Sequence, residues 1–388
     1  MPQWMSRKLR PYSASIFDSL GRKALEKKCI NLGQGFPDFD GPEPIKEAAR
    51  KAIAEAHNQY APLPGVPVMN QALAEKYAAE AGLEFDPKRE ITVLNGATEA
   101  MYAALTAIIE PGDEVIVFEP IYDTYVPTIE MSGGQAVPIP LVAPEFRFDP
   151  DRLRAAFNER TKAIIINTPH NPTGRVFDEA EMGLVRDLCV AHDVIAVTDE
   201  VYEHLLFDRH RHIHMAAMEG MRDRTITISS TAKTFSMTGW KIGYTIAPPA
   251  ATEAIRRLHQ FIAFAVATPF QWGMAEAIQR RDSLIPPLHA DLAAKRERIC
   301  AALSDIGFKV IRPEGTFFVL ADFSAFSDKP DLEFAMDLLE SEVAVAAIPI
   351  SVFYKHQDEA PFNYLRFCFA KKTETLDAGL ERLARLKG

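Results

Sequence analysis

The chain has 388 residues, of which 47% are hydrophobic and 25% charged, and its formal net charge is -10. Because a chain of this length is too long for one small core, we expect two domains. The acidic balance argues against a nucleic-acid-binding surface made of clustered lysine and arginine, and it is compatible with a cytoplasmic enzyme.

The N-terminus, the apolar runs and the cysteines bear on secretion, membrane insertion and the redox compartment. Residues 1–10 lack the apolar core of a signal peptide, and no uninterrupted apolar run reaches the length that crosses a bilayer. The cysteines are far apart and form no C-x-x-C pair, so we expect small buried side chains in a reducing compartment. They are Cys29, Cys189, Cys300 and Cys368.

Short continuous apolar runs predict buried strands in the middle of the chain. They lie at 91–94, 114–118, 163–167, 194–198 and 225–229, with helices predicted at 98–109 and 178–192. Apolar runs without alternation are typical of a mostly parallel sheet covered by helices on both faces, an α/β domain. Ligands of such sheets bind beyond the carboxyl ends of the strands.

The pattern changes from about residue 285. A helix at 288–304, strands at 308–311 and 316–320, a helix at 331–342, a strand at 364–369 and a helix from 373 predict a smaller α+β domain. We therefore expect an N-terminal arm with part of the small domain at 1–45, a large domain at 46–285 and the small C-terminal domain at 286–388.

Two polar motifs follow predicted strands. Asn95-Gly96-Ala97-Thr98 joins a strand to a helix, so its backbone N–H groups suit a phosphate, although such a turn also serves as a plain helix cap. Asp199-Glu200-Val201-Tyr202 puts a carboxylate at the end of a buried strand, where it needs a partner. A protonated pyridine nitrogen is a suitable partner, with Tyr202 near the ring oxygen; the alternative is another helix cap.

A lysine follows the strand at 225–229. Burial and a neighbouring cation remove the proton from a lysine and make it a nucleophile, and Lys233 is followed by Lys241 in a segment rich in hydroxyl groups. Two lysines beside hydroxyls also suit a phosphate. The segment predicts that Lys233 forms an imine with a phosphorylated aldehyde, pyridoxal phosphate; the alternative is an ordinary solvated lysine.

Further candidates are an asparagine loop, a buried arginine and a histidine cluster. The loop 167–174 has two prolines that admit cis peptides, and it either directs Asn171 into the cleft or is an ordinary tight turn. Arg366 lies in an apolar strand, so its guanidinium needs an anion: a substrate carboxylate or a structural acid.

The glycine-rich loop 31–39 could close over the substrate and offer it the Gly35 N–H. We assign no metal to His210–His214, because no acidic residue lies at ligand spacing nearby.

The motifs occur together and in one order, and the chain resembles the fold-type-I pyridoxal-phosphate enzymes, specifically the class-I aminotransferases, from about residue 31 onward. Segments 33–39, 58–60, 168–172 and 238–241 resemble the methionine and kynurenine (glutamine transaminase K-like) aminotransferases. The resemblance implies the PLP-transferase fold, with a mostly parallel seven-stranded central sheet between helices and a smaller α+β domain.

The resemblance also implies roles for single residues. Lys233 forms the Schiff base, Asp199 pairs with the pyridine nitrogen, and Tyr202 and Asn171 hold the ring oxygen, while Tyr122 stacks on the ring. The phosphate ligands are Gly96, Ala97, Thr98, Ser230 and Lys241. Tyr60 reaches the phosphate from the partner subunit of a homodimer, and Arg366, with Asn171 and Gly35, binds the substrate carboxylate.

The predicted substrate pocket departs from the family at one position. Phe17 stands where kynurenine-type enzymes carry a tryptophan, and segment 261–266 with Phe264, which resembles a pocket wall from the partner subunit, has no cation. This favours apolar, sulfur-containing or aromatic amino acids (methionine, glutamine, phenylalanine or kynurenine type) over aspartate.

The predicted reaction is transfer of the amino group to a 2-oxo acid. One alternative is a cysteine-S-conjugate β-lyase on the same scaffold. The other is a catalytically silent regulator, against which the short N-terminal arm and the negative charge argue.

Overall fold

The computed structural model describes residues 4–12, 16–356 and 360–387, without the side chains of Phe17 and Asp18. The described residues form these strands: β1 (Ile30–Asn31), β2 (Ile91–Asn95), β3 (Glu114–Glu119), β4 (Gln135–Pro140), β5 (Thr161–Asn167), β6 (Ile195–Asp199), β7 (Thr225–Ser230), β8 (Ile242–Ile246), β9 (Lys309–Ile311), β10 (Phe318–Asp322), β11 (Val345–Ala346), β12 (Ile348–Pro349) and β13 (Tyr364–Cys368).

The helices of the described residues follow the same chain order. They are α1 (Ile16–Glu26), α2 (Glu43–Ala54), α3 (Pro67–Ala81), α4 (Gly96–Ile108), α5 (Tyr125–Met131), α6 (Pro150–Ala156), α7 (Glu179–His192), α8 (Thr231–Thr234), α9 (Pro249–Ile262), α10 (Thr268–Gln279), α11 (Arg281–Ile306), α12 (Asp331–Glu340) and α13 (Thr373–Leu383). In this part of the chain no helix is both long and apolar enough to cross a membrane.

The central sheet has seven strands in the order β2-β8-β7-β6-β5-β3-β4. Its strands pair in parallel except β8, which runs antiparallel to both of its neighbours. This confirms the predicted mostly parallel seven-stranded sheet.

Both faces of this sheet are buried, which explains the continuous apolar runs. Val115 and Val117 of β3 pack on one side against α4, α5 and α9, whereas Ile116, between them, packs on the other side against α6 and α7. Since side chains alternate along a strand, a sheet covered twice needs apolar residues at every position.

The second sheet is antiparallel and has the order β12-β13-β10-β9. Helix α11 packs on it through Ile299 and Leu303, and β1 pairs in parallel with β11. The N-terminal segment thus joins the C-terminal elements. The predicted division after residue 285 falls inside α11, whose early turns include Pro286 and Pro287, and the domain boundaries stay a prediction.

The carboxyl ends of the parallel strands meet at one edge of the central sheet. Asn167 of β5 is in register with Asp199 of β6, and β7 ends beside them at Ser230, which pairs with Gly243 of β8. The polar residues that end these strands are therefore neighbours in space, although they are far apart in sequence.

Candidate active site

A cavity of about 650 Å³ opens at this edge of the sheet. Its wall brings together twelve residues that the sequence singles out: Gly35, Gly96, Ala97, Thr98, Tyr122, Asn171, Asp199, Tyr202, Ser230, Lys233, Lys241 and Arg366. Titratable groups of opposite charge, aromatic rings and the start of a helix thus face the same space.

Lys233 reaches the cavity from α8, the short helix that follows β7. The Ser230 hydroxyl caps this helix by accepting from the Ala232 N–H at 3.1 Å, and the Lys233 Nζ donates to the carbonyl oxygen of Gly35 at 3.1 Å. Burial lowers the pKa of Lys233 to about 8, and the Arg366 and Lys241 cations act in the same direction. An amine with such a pKa is partly unprotonated at neutral pH and is a competent nucleophile or base.

Asp199 ends β6 and is buried. One carboxylate oxygen, Oδ2, accepts from the Tyr125 hydroxyl at 2.5 Å, and Oδ1 accepts from the Val201 N–H at 3.3 Å. Burial raises the pKa of Asp199 to about 6, against the lowering effect of the Tyr125 hydrogen bond and the Lys233 charge. A buried carboxylate of this kind attracts a cationic partner.

The start of α4 faces the same cavity. Gly96 has a φ of +77°, and a Cβ added there would lie 3.1 Å from the Lys241 Nζ. Gly243 lets β8 pack directly against the backbone at the start of α4, since a Cβ on Gly243 would lie 2.4 Å from the carbonyl carbon of Gly96. A helix N-terminus with an adjacent lysine is an arrangement that binds phosphate.

Arg366 approaches from β13 of the second sheet and is buried. Its Nη1 donates to Asn171 Oδ1 at 2.7 Å, its Nη2 donates to the Gly33 carbonyl at 3.1 Å, and its guanidinium lies 3.9 Å from the ring centre of Phe318. Burial lowers the pKa of Arg366 to about 10. These three contacts hold the guanidinium plane at the cavity wall.

The family model described as aminotransferase class I and II matches residues 27–383. The chain belongs to this family. It is therefore an aminotransferase, as the resemblance implied.

Known members of the family cover almost the whole chain. The methionine aminotransferase of Escherichia coli (strain K12) is 41% identical over 98% of this chain and 97% of its own, and kynurenine–oxoglutarate transaminase 3 of Rattus norvegicus is 36% identical over 97% and 89%. The solved structure of N-succinyldiaminopimelate aminotransferase from Mycobacterium tuberculosis has a TM-score of 0.95, with 41% identity over 98% of this chain and 100% of that one. The predicted fold and the methionine and kynurenine subgroup are thereby confirmed.

Two predicted residues of this aminotransferase, Tyr60 and Phe264, lie outside the cavity wall. Tyr60 is 83% exposed and Phe264 is 45% exposed, with their rings 5.6 Å apart, and neither lines the cavity. Phe17 lies outside the described side chains.

Ser230 has less freedom than the sequence implied. Its hydroxyl donates to the Ile242 carbonyl at 3.1 Å while it caps α8. A hydroxyl has one proton to donate, so direct donation to a phosphate requires Ser230 to give up the bond to Ile242.

Three aromatic residues of the cavity wall, Phe36, Tyr125 and Phe318, were not predicted as site residues. Tyr125 carries the hydroxyl that reaches Asp199, and Phe318 underlies the Arg366 guanidinium. A signal existed for Tyr125, which lies three residues after Tyr122 in a segment that follows a strand. No signal identified Phe318, because its partner is distant in sequence.

The fold brings an acidic residue to the histidine segment 210–214, contrary to the sequence-based expectation. Glu200 Oε2 lies 2.7 Å from His214 Nδ1 and 3.0 Å from His212 Nε2. Burial raises the pKa of the Glu200 carboxyl, but the two histidines outweigh it and hold the value well below the usual range. The sequence missed this group because Glu200 precedes the histidines by a long loop.

Proposed function

We propose that this aminotransferase uses pyridoxal 5'-phosphate, bound to Lys233, to move the amino group of an apolar, sulfur-containing or aromatic L-amino acid to a 2-oxo acid. The observation that carries the proposal is the convergence of Lys233, Asp199 and Arg366 on one cavity. These groups suit, in that order, an aldehyde, a ring nitrogen and a carboxylate.

The cavity fits the cofactor in charge and in shape. A phosphate matches the positive end of α4 and Lys241, and Gly96 leaves room there for close backbone contact. Asp199, buried and anionic above a pH of about 6, would hold the proton of the ring nitrogen. Tyr122 would stack on the ring, and the Tyr202 hydroxyl and the Asn171 amide would hold its phenolic oxygen.

The bound cofactor supplies an electron sink for the bond that breaks at the substrate Cα. The residues of the chain supply the rest. Lys233 would hold the cofactor covalently between turnovers and, once displaced, its Nζ would carry the proton from the substrate Cα. Its pKa of about 8 lets it take and return a proton near neutral pH.

Arg366 would orient the substrate by binding its carboxylate in bidentate fashion. Asn171 and the Gly35 N–H would assist it. The Lys233 Nζ donates to the Gly35 carbonyl, so an imine at Lys233 would remove this hydrogen bond, and the loop that carries Gly35 is expected to adjust when the cofactor binds.

The cavity wall supports an uncharged substrate side chain. Among its described residues the cations are Lys233, Lys241 and Arg366, and the proposal gives each of them a partner. None is left for a second substrate carboxylate, whereas Phe36, Tyr122 and Phe318 supply aromatic surface. Methionine, glutamine, phenylalanine and kynurenine are therefore the proposed donors.

A homodimer with shared sites is part of the proposal. Tyr60 and Phe264 lie together on the surface, beside the exposed Phe261 and Ile262. An exposed apolar patch of this kind supports an interface with a second copy of the chain. Tyr60 would donate its hydroxyl to the cofactor phosphate of the partner subunit.

We also propose a cytoplasmic location. The four cysteines are free, and three of them are buried. Unpaired cysteines support a reducing compartment.

The test is a half-reaction panel on the purified protein loaded with the cofactor. Methionine, glutamine, phenylalanine and kynurenine are compared with aspartate and N-succinyldiaminopimelate by the absorbance change that marks conversion to the amine form. The proposal expects the first four to give at least about a tenfold higher second-order rate constant, about 1.4 kcal/mol of barrier. A preference for aspartate or N-succinyldiaminopimelate would overturn the substrate class, and no change with any amino acid would overturn the reaction.

A further inference from the structure

Tyr125 contacts the carboxylate that would face the cofactor ring. It is the first residue of α5 and is 5% exposed, and its hydroxyl donates to Asp199 Oδ2 at 2.5 Å. Its ring packs edge-on against Tyr122, with 5.7 Å between the ring centres. The segment from Tyr122 to Tyr125 therefore supplies both the proposed stacking ring and a hydrogen-bond donor to Asp199.

We propose that Tyr125 is a positioning residue of the proposed reaction, whose phenol keeps the Asp199 carboxylate anionic and fixed in orientation so that Asp199 holds a proton on the cofactor ring nitrogen. This inference rests on the proposed function. It adds a residue that acts through Asp199.

The charges around Asp199 explain why the phenol matters. Burial raises the pKa of Asp199, and the Tyr125 hydrogen bond is the largest of the effects that lower it again, ahead of the Val201 N–H and the Lys233 charge. Glu200 acts in the raising direction. The remaining neighbours, Tyr122 and Tyr202, are themselves neutral near pH 7, because burial raises their pKa values.

The phenol of Tyr125 is a permanent donor. Burial and the nearby Asp199 raise the pKa of Tyr125 well above its ordinary value, so the hydroxyl keeps its proton at any working pH. A neutral donor stabilises the anionic carboxylate by a hydrogen bond and adds no positive charge that would compete with the protonated ring nitrogen. Each carboxylate oxygen accepts more than one hydrogen bond, so the contact leaves capacity for a ring N–H.

A protonated Asp199 could no longer hold a proton on the cofactor ring nitrogen. The pyridine ring withdraws electrons well only while its nitrogen is protonated, and that proton is held by a carboxylate rather than by a carboxylic acid. Tyr125 would thus affect the rate of bond breaking at the substrate Cα more than substrate binding.

The experiment compares Tyr125→Phe, which removes the hydrogen bond to Asp199, with a matched control and with a variant that strengthens this hydrogen bond. Tyr354 is a buried tyrosine of similar exposure, 6%, that does not line the cavity, so Tyr354→Phe removes a comparable hydroxyl elsewhere. A 3-fluorotyrosine at position 125 keeps the ring and makes the phenol a stronger donor. The full chain is used throughout, with and without cofactor.

The first readout is the infrared band of the Asp199 carboxylic acid in the cofactor-free protein, followed against pH and assigned by its loss in Asp199→Asn. Tyr125→Phe is expected to move the midpoint upward from about 6 by about one pH unit, the size expected from one hydrogen bond to a charged group. The fluorinated variant should move it downward, and Tyr354→Phe should not move it.

The second readout is kinetic and uses the loaded enzyme. Tyr125→Phe is expected to lower kcat about tenfold with less than a twofold change in KM for methionine, whereas Tyr354→Phe changes neither. Unmoved infrared midpoints in both position-125 variants, or an equal shift in Tyr354→Phe, would overturn the proposal. If the infrared shifts occur but the protein binds no pyridoxal phosphate, the contact stands and the proposed function fails instead.

Discussion

Asn171 Oδ1 accepts a hydrogen bond of 2.7 Å from Arg366 Nη1 across 195 positions of sequence. Asn171 stands in the loop after β5 of the central sheet, and Arg366 stands in β13 of the antiparallel sheet. The contact joins the two sheets at the cavity wall. It fixes the plane of a guanidinium that also contacts the Phe318 ring, the Phe353 ring and the Gly33 carbonyl.

Arg366→Lys is expected to weaken substrate binding. Lysine keeps the charge but loses the planar fork that matches a carboxylate, so KM for methionine should rise by about 100-fold, with a smaller fall in kcat. Steady-state kinetics check this. Arg147→Lys is the control, because Arg147 is exposed and pairs with Asp178. An unchanged KM in Arg366→Lys would contradict the carboxylate assignment.

Lys233→Met is expected to stabilise the cofactor-free protein at pH 7. The folded-state pKa of Lys233, about 8, lies below its ordinary value of 10.5, so the folded protein binds fewer protons than the unfolded chain between these pH values. Its stability therefore rises with pH across that window, and the burial cost is complete below pH 8.

At pH 7 the gain in the free energy of unfolding should be about 2 kcal/mol, which is the pKa shift discounted for partial exposure of the side chain. The gap between Lys233→Met and the unchanged protein should narrow as pH rises from 8 towards 10. Urea unfolding at several pH values measures it. A gap that does not depend on pH would mean that the amine is not desolvated.

Gly243→Ala is expected to disturb the start of α4. The added methyl carbon would meet the Gly96 backbone at 2.4 Å, so the strand or the helix must move, at a cost of about 1–3 kcal/mol. Cofactor affinity should fall with it, because Gly96 and Lys241 form the proposed phosphate site.

Gly183→Ala supplies the matched control for that substitution. Gly183 lies within α7, and nothing stands within 4 Å of an added Cβ, so alanine should raise stability by about 0.5–1 kcal/mol. Thermal unfolding and cofactor titration compare the two variants. Equal behaviour of both variants would show that the contact between Gly243 and Gly96 is not tight.

A mixture of two impaired variants is expected to regain activity if the sites are shared. Lys233→Ala removes the lysine of its own cavity, and Tyr60→Ala removes the hydroxyl proposed for the partner's cavity. A hybrid dimer then has one site with both defects and one intact site. Half of randomly mixed dimers are hybrids, so refolded mixtures should reach about one quarter of wild-type activity. No gain above the two separate variants would contradict a shared site.

The sequence could predict the elements whose signals are local. The strand ends at Asn167, Asp199 and Ser230 follow apolar runs, and the observed β5, β6 and β7 end at those residues. Helix α7 has a capping box of Asp178 and Glu181, a purely local signal.

Elements that depend on tertiary context escaped prediction. Strand β4 contains Pro138 and Pro140, which argue against a strand, yet β4 lies at the edge of the sheet, where a missing N–H donor costs little. Helix α11 runs through Pro286 and Pro287 and begins at Arg281, so the sequence placed its start seven residues too late.

The candidate site shows the same division. Residues within strand-end motifs were identified, because a polar group that follows an apolar run is a local pattern in the sequence. The pairing of Tyr125 with Asp199 and of Phe318 with Arg366 arises from contacts between separate elements. No sequence spacing encodes such contacts directly.

Reductive trapping tests most directly whether Lys233 carries the cofactor. Purified protein is incubated with pyridoxal phosphate, reduced with borohydride and digested, and the modified peptide is sequenced by mass spectrometry; Lys241→Ala, which keeps Lys233, is run in parallel. A single phosphopyridoxyl adduct on Lys233 is expected, formed faster as the pH rises through about 8 and also present in Lys241→Ala. An adduct on another lysine, or none, would contradict the assignment of the active site.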